Sequence, residues 1–145
     1  SLRGEKMTKH HSSSDTYGRF DMSVHERVLH AKVFGSLDPA SMNAATNILV
    51  PLVHEMDGPW ASLMDYREWE LYTEEMIPLL LNLQTWLLKQ DHKVEVAVVG
   101  KSGLKKNARE RLLQELDDKP QQVYVETEEQ GWKWLIEHGY CINHP

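Results

Sequence analysis

The chain has 145 residues, of which 41% are hydrophobic and 26% charged, and a formal net charge of −6. That is enough apolar content for one globular core, and the acidic balance argues against a general nucleic-acid binder, which needs a basic footprint. A single cysteine, Cys141, excludes an internal disulfide, and with no hydrophobic leader at its start the chain reads as cytoplasmic.

Residues 1–16 are polar, with a serine run, and read as a disordered tail. Two histidines there, His10 and His11, do not close a metal coordination shell and read as a solvated pair. From Tyr17 to Val24 the pattern alternates, with Phe20, Met22 and Val24 on one face and Arg19, Asp21 and Ser23 on the other. This is a half-buried strand. After a tight turn at 25–27, Val28 to Phe34 alternates again, so the two strands form an antiparallel hairpin.

A helix opens at "SLDPAS", where Asp38 can cap and Pro39 fits the first helical position. Met42, Ala45, Leu49, Leu52, Val53 and Met56 recur at helical spacing. Pro51 should kink the helix or end it nearby, and Gly58-Pro59 stops it. Residues 60–66 read as a short strand. A helix follows from about Thr73 to Gln90, with Thr73 as cap and Pro78 near the first turn. Its Leu-rich body is apolar most of the way round, which predicts deep packing. The block from Met76 to Leu88 contains Pro78, Asn82, Gln84 and Thr85 and is too short and too polar to span a bilayer.

The β-branched run "VEVAVV", 94–99, has the composition of a central strand covered on both faces. Leu104 to Leu116 is an amphipathic helix, with Leu104, Ala108, Leu112, Leu113 and Leu116 expected to face inward. A strand at 123–125 leads to the capping box Thr127–Gln130 and a last helix that turns Trp132, Leu135 and Ile136 inward and ends at Gly139. The order is β-β-α-β-α-β-α-β-α. It predicts an α/β domain over 17–145: a mixed, mostly parallel sheet of about five strands, opened by the hairpin, with about four helices.

Gly100-Lys101-Ser102, between a strand and a helix, invites comparison with a phosphate-binding loop. The first glycine of that motif would fall at position 95, which is Glu95 within the strand, so a nucleotide loop is not formed. What remains is an anion-binding candidate built from Gly100, Lys101, Ser102, Lys105 and Lys106 at a helix start. The alternative reading is a solvated basic face that also includes Arg109 and Arg111. A second candidate is the loop after the 60–66 strand. Asp65, Glu68 and Glu70 alternate there with Tyr66, Trp69 and Tyr72, at a strand end where ligands gather in open α/β sheets. This loop suits a partner or an apolar ligand; a solvated acidic loop with packed aromatics fits the same residues. Cys141 with His138 or His144 lies near the end of the chain, where a nucleophile is hard to pre-organise. His30 reads as a hydrogen-bonded histidine, and Trp134, off the inward stripe, as a candidate dimer contact. No residue set carries a catalytic, metal or cofactor signature.

The element order resembles that of the SpoIIAA-like proteins, relatives of the STAS domain of anti-sigma-factor antagonists. The likeness runs over roughly residues 17–139 and is carried by "SLDPASMNAATNILVPLV", a strand with an acidic end at Asp65, "KVEVAVVGKSGLKKNA" and a capped helix with "WKWL". The resemblance implies a non-enzymatic regulatory or ligand-binding module. The antagonists carry a phosphorylated serine in a pattern like Asp-Ser-Ser-Gly at the turn after the third strand. Here the turn reads Asp65-Tyr66-Arg67-Glu68, so the acid is matched and the phosphoserine switch is not. Binding of apolar molecules between the sheet and a helix, implied for some relatives, would use the 76–88 helix with Trp60, Trp69 and Trp86. Three functions stay open, in this order: a protein-interaction module, a carrier of a small apolar or anionic ligand, and an enzyme using the acidic loop.

Overall fold

The computed structural model describes residues 10–14, 18–70 and 72–145. Six strands form one sheet in sequential order. Strand β1 (His10–Ser14), β2 (Gly18–His25) and β3 (Val28–Gly35) are antiparallel, and β3 continues in parallel into β4 (Trp60–Asp65), β5 (His92–Val98) and β6 (Gln121–Val125). Four helices occur among the described residues: α1 (Pro39–His54), α2 (Met76–Lys89), α3 (Gly103–Leu113) and α4 (Glu128–Glu137). The mixed α/β architecture is the one read from the sequence.

The sixth strand, β1, falls within the stretch expected to be a tail. His10 stands opposite Ser23 and Ser14 opposite Arg19. It carries no apolar alternation, so no periodicity marks it; its pairing covers the edge that β2 would otherwise expose. Residues 1–9 and 15–17, the rest of that tail and the expected start of β2, lie outside the described residues.

Alternation sorts the sheet into two faces. Phe20, Met22 and Val24 of β2 join Leu29, Ala31 and Val33 of β3 beneath α1 and α2, with Leu112 of α3 in the same cluster. Val28, Ala61, Leu63, Val94, Val96 and Val98 point the other way, onto Trp132 and Leu135 of α4. Strand β5 is covered on both sides, as its β-branched run predicts.

Helix ends follow local chemistry. Asp38 and Ser41 form a reciprocal capping box before Pro39, and Thr127 and Gln130 form another. Gly139, with φ 81°, takes the left-handed position after α4. Pro51 does not end α1, which runs three residues further to His54. Pro51 sits on the exposed side, where its missing N–H is tolerated near the last turn.

Two helices are rotated or shortened relative to expectation. Helix α2 starts at Met76, not Thr73; the Thr73 hydroxyl donates to Glu75 instead of capping. It is also not deeply packed. It buries only the stripe Met76, Leu80, Gln84 and Leu87, while Leu79 is 39% exposed. In α3 Leu104 is 77% exposed, and Arg109 takes an inward place with Leu112 and Leu113. A buried carboxylate on β5, described below, draws Arg109 in and turns Leu104 out.

Helix α4 lies so close to the sheet that a Cβ built on Gly131 would stand 2.5 Å from Leu63 Cδ1 and 3.4 Å from Val96 Cγ1. Gly131→Val is therefore expected to destabilise the domain by about 1–3 kcal/mol through overpacking. Urea unfolding checks this; a loss of less than ~0.5 kcal/mol, the range of an ordinary surface substitution, would contradict the close approach.

Candidate functional site

The carboxyl ends of β3, β4, β5 and β6 meet at one end of the sheet, and the loop after β4 is stitched across them. Tyr66 N–H donates to Val98 O (2.9 Å), Gly35 N–H to Glu68 O (3.1 Å) and Glu70 N–H to Gly35 O (2.9 Å). Gly35, at φ 71°, supplies a left-handed bend that lets both bonds form. The Ser36 hydroxyl donates to Glu70 Oε2.

Asp65 closes β4 and is fully buried. It accepts from Arg67 N (3.1 Å), Nε (3.0 Å) and Nη2 (2.7 Å). Burial pushes its carboxyl up, but the hydrogen bonds and charge of Arg67 outweigh burial and hold it at about 2. A carboxyl held in this way stays ionised near neutral pH and cannot serve there as a general acid. Arg67 reaches on to Glu128 at the start of α4 (3.9 Å), and Glu128 meets His30 Nε2 at 2.8 Å. His30 Nε2 is thus within ion-pair distance of Glu128 but makes no hydrogen bond, unlike the hydrogen-bonded histidine expected there.

The two candidate clusters read from the sequence come together here. Lys105 Nζ donates to Tyr66 O (2.7 Å) and Arg67 O (3.1 Å), and Gly100 faces the Arg67 side chain. Burial lowers the Lys105 ammonium below its usual range. Lys105 is therefore a strut of the loop. Lys101, Ser102 and Lys106 face outward; the Ser102 hydroxyl caps α3 through Leu104 N (3.3 Å), and Lys106 lies 5.4 Å from the Tyr124 ring. Glu68 is exposed, whereas Tyr66 and Trp69 are buried; the Tyr66 ring is tilted against Trp69 at 5.6 Å and Trp69 stacks on Tyr72 at 5.4 Å. The loop's aromatics are core on which its charged tips are mounted.

Beneath the loop lies a set the sequence reading did not assemble. Arg109 chelates Glu95 through Nε (3.0 Å) and Nη2 (2.9 and 3.0 Å), and the Tyr66 hydroxyl donates to Glu95 Oε2 at 2.5 Å. Glu95 is 1% exposed and Arg109 5%. Arg109 thus belongs to the interior and not to the solvated basic face. The available signal was a lone acid within a β-branched central strand, which demands a buried partner.

Glu95 also borders a cavity of about 70 Å³ between the sheet and helices α1 and α2. Its walls are apolar except for a few polar groups. His92 stacks on Trp60 (4.5 Å) and its Nε2 bonds the Ser62 hydroxyl (2.8 Å). Burial pushes its pKa down to about 4, so the ring is neutral. His92 Nδ1 and Gln84 Oε1 are buried without a protein partner. Buried polar atoms are nearly always satisfied, so these two are exceptions on the cavity wall.

The far end of the chain offers no nucleophile. Cys141 is buried and its thiol is pushed up to about 11 by burial, while His138 bonds Trp134 O and His144 bonds Pro145 O. Trp134 is half-buried and stacks on His138 at 3.7 Å. No helix among the described residues is long and apolar enough to cross a membrane.

No protein-family model and no curated protein matches the chain. Solved structures do. An uncharacterised protein of the DUF3478 family with a SpoIIAA-like fold, from Shewanella loihica, superimposes with a TM-score of 0.67 at 16% identity, over 85% of this chain and 98% of that one. The anti-sigma-factor antagonist SpoIIAA in its unphosphorylated form gives 0.52 at 10% identity, over 88% and 97%. An anti-sigma-factor antagonist from Mycobacterium paratuberculosis gives 0.54 at 17% identity, over 84% and 97%. The chain has the SpoIIAA-like fold.

Proposed function

We propose that this protein is a non-enzymatic regulatory module that binds another protein through the surface at the carboxyl ends of β4 and β5. The observation that carries the reading is Leu104, a large apolar side chain left 77% exposed on the first turn of α3. That turn is anchored to the 65–70 loop by Lys105, so an apolar point is held on a turn that also carries the exposed Lys101 and Lys106. A pre-organised apolar centre with a charged rim is the anatomy of a protein-docking patch. The basic residues around Leu104 favour an acidic partner segment. Two of the similar folds are anti-sigma-factor antagonists, which supports regulation by protein contact. Because the turn holds neither serine nor threonine, the contact is independent of a phosphorylation there.

Affinity capture compares the wild type with the variant Leu104→Glu/Lys101→Glu, both positions being exposed and free of core contacts. A protein retained by the wild type and depleted at least tenfold by the variant, at unchanged thermal stability, is the expected result. Equal retention of every captured protein by both would remove this surface from the function.

The cavity under α2 favours a second reading, a carrier or sensor of a small apolar molecule bearing one polar group. His92 Nδ1 and Gln84 Oε1 are the groups that would bond it. A volume of about 70 Å³ is below the ~150 Å³ that accommodates benzene in an engineered cavity, so entry requires α2 to shift outward. Native mass spectrometry of freshly purified protein tests this. A mass adduct that disappears on denaturation is expected, and repeated adduct-free spectra from independent preparations would overturn it.

A further inference from the structure

Strand β6 ends the sheet: β5 lies on one side of it, and among the described residues no strand lies on the other. Its five residues, Gln121–Val125, carry no charge and no proline. Edge strands are ordinarily protected from other chains by charge, proline, a bulge or a cover, and β6 itself bears none of the first three.

The free groups of this edge follow from its ladder. Val99 N–H donates to Val125 O (2.9 Å), so Val125 directs its main chain at β5. Inward and outward residues alternate along a parallel ladder, so Gln121 and Val123 also face β5. Gln122 and Tyr124 therefore direct N–H and C=O away from the sheet. The ladder cannot be lengthened at either end. Pro120 has no N–H, and Glu126 N–H is engaged with Gln130 Oε1 (2.8 Å) at the start of α4.

This short frame is its own complement. A second β6 laid antiparallel, Val123 opposite Val123, sets Gln122 of each copy opposite Tyr124 of the other, and each such pair exchanges both main-chain bonds. The two-fold axis brings no charge against itself, since the strand has none. The nearest charges on either side of β6 are Lys119 and Glu126, both exposed. Antiparallel pairing places Lys119 of one copy beside Glu126 of the other, opposite in sign.

Helix α4 adds an apolar anchor next to the edge. Trp132 faces His25 and His30 of β2 and β3. Trp134 stands two residues on, about 200° round the helix, and is so turned to the β6 side. It is half-buried and packs on the same core cluster as Val123 and Val125. Tryptophan is among the residues enriched at protein interfaces.

We infer that β6 is a dimerisation edge: two copies of this chain join their six-stranded sheets into one continuous sheet through antiparallel β6 strands, with Trp134 beside the seam. The partner is a second copy, which sets this edge apart from the docking surface at Leu104.

Sedimentation velocity of the full chain from about 1 µM to about 1 mM, spanning ordinary to weak affinities, is expected to show a monomer–dimer equilibrium. Gln122→Pro removes an outward N–H that the monomer does not use, a change that edge strands tolerate. It is expected to weaken dimerisation by about tenfold or more through the lost bonds, at unchanged circular dichroism. Lys119→Glu is expected to weaken it as well, and Lys119→Glu/Glu126→Lys to restore it. Cysteine cross-linking reads the register. Under mild oxidation Val123→Cys is expected to link two copies, its Cα standing ~4.5 Å from that of the other copy, while Gln121→Cys is not. A monomer throughout that range, a dimer unaltered by Gln122→Pro, no rescue by the double charge reversal, or equal cross-linking at the two positions would each overturn the inference.

Discussion

Arg109→Ala is expected to destabilise the domain by about 3–5 kcal/mol, the cost of leaving a buried ion without its partner. The Glu95 carboxylate is 1% exposed, and three of its four hydrogen bonds come from Arg109. Without the guanidinium the carboxylate keeps only the Tyr66 hydroxyl, inside a strand that water does not reach. The effect arises from the stranded charge and not from the loss of an attractive contact. Removing the whole set separates the two: Glu95→Leu, Arg109→Met and Tyr66→Phe combined should recover most of the loss, because apolar side chains of similar volume replace a buried pair at little cost. Urea denaturation of the single and triple variants measures both. A single variant within 1 kcal/mol of the wild type would show that Glu95 reaches water. Since Tyr66 also opens the 65–70 loop, the triple variant should retain its fold while its affinity for the docking partner falls.

The second large effect is a loss of stability in mild acid from one buried histidine. Burial lowers His92 from 6.5 to about 4, so the folded protein holds the ring neutral where the unfolded chain would protonate it. The unfolded state then binds more protons as pH falls, and stability falls with it. The contribution is fully present above about 6.5 and is lost progressively down to about 4. At ~1.4 kcal/mol for each pH unit of separation the loss reaches about 3 kcal/mol. Asp65 acts at lower pH, since its carboxyl is lowered from 3.8 to about 2 and its contribution disappears only as pH falls through that range. Unfolding free energies at pH 7 and 4.5 in the wild type and His92→Phe test the assignment. The variant is expected to lose the pH dependence in this window, and an equal slope in both proteins would assign it to other groups. His92 borders the cavity under α2, so a ligand that donates to its Nδ1 would steepen the same dependence by favouring the neutral ring.

The sequence by itself determined the local structure of this protein. Strand alternation in 18–34, the cap at Asp38, the capping box at Thr127 and the glycine at 139 act over a few residues, where the physics is complete within the segment. They suffice to order the elements, and with them the mostly parallel sheet and the meeting of strand ends at Asp65. They also place both site candidates at strand ends, since Gly100 follows a strand and Asp65 closes one.

Tertiary structure decided what crosses between segments. Periodicity turned Leu104 inward, yet a buried glutamate 14 residues before Arg109 reverses that choice, since an unpaired ion costs more than an exposed leucine. Lys105 reads as part of an anion site until its ammonium is seen to reach carbonyls 38 and 39 residues away. The leucines of α2 predict burial on all sides, but only one face of it meets the sheet, and hydropathy does not record which faces find neighbours. Strand β1 has no apolar alternation in the sequence, and only its register against β2 reveals it. That β6 stands at the edge of the sheet follows from the order in which the strands pair, and no window of sequence contains it.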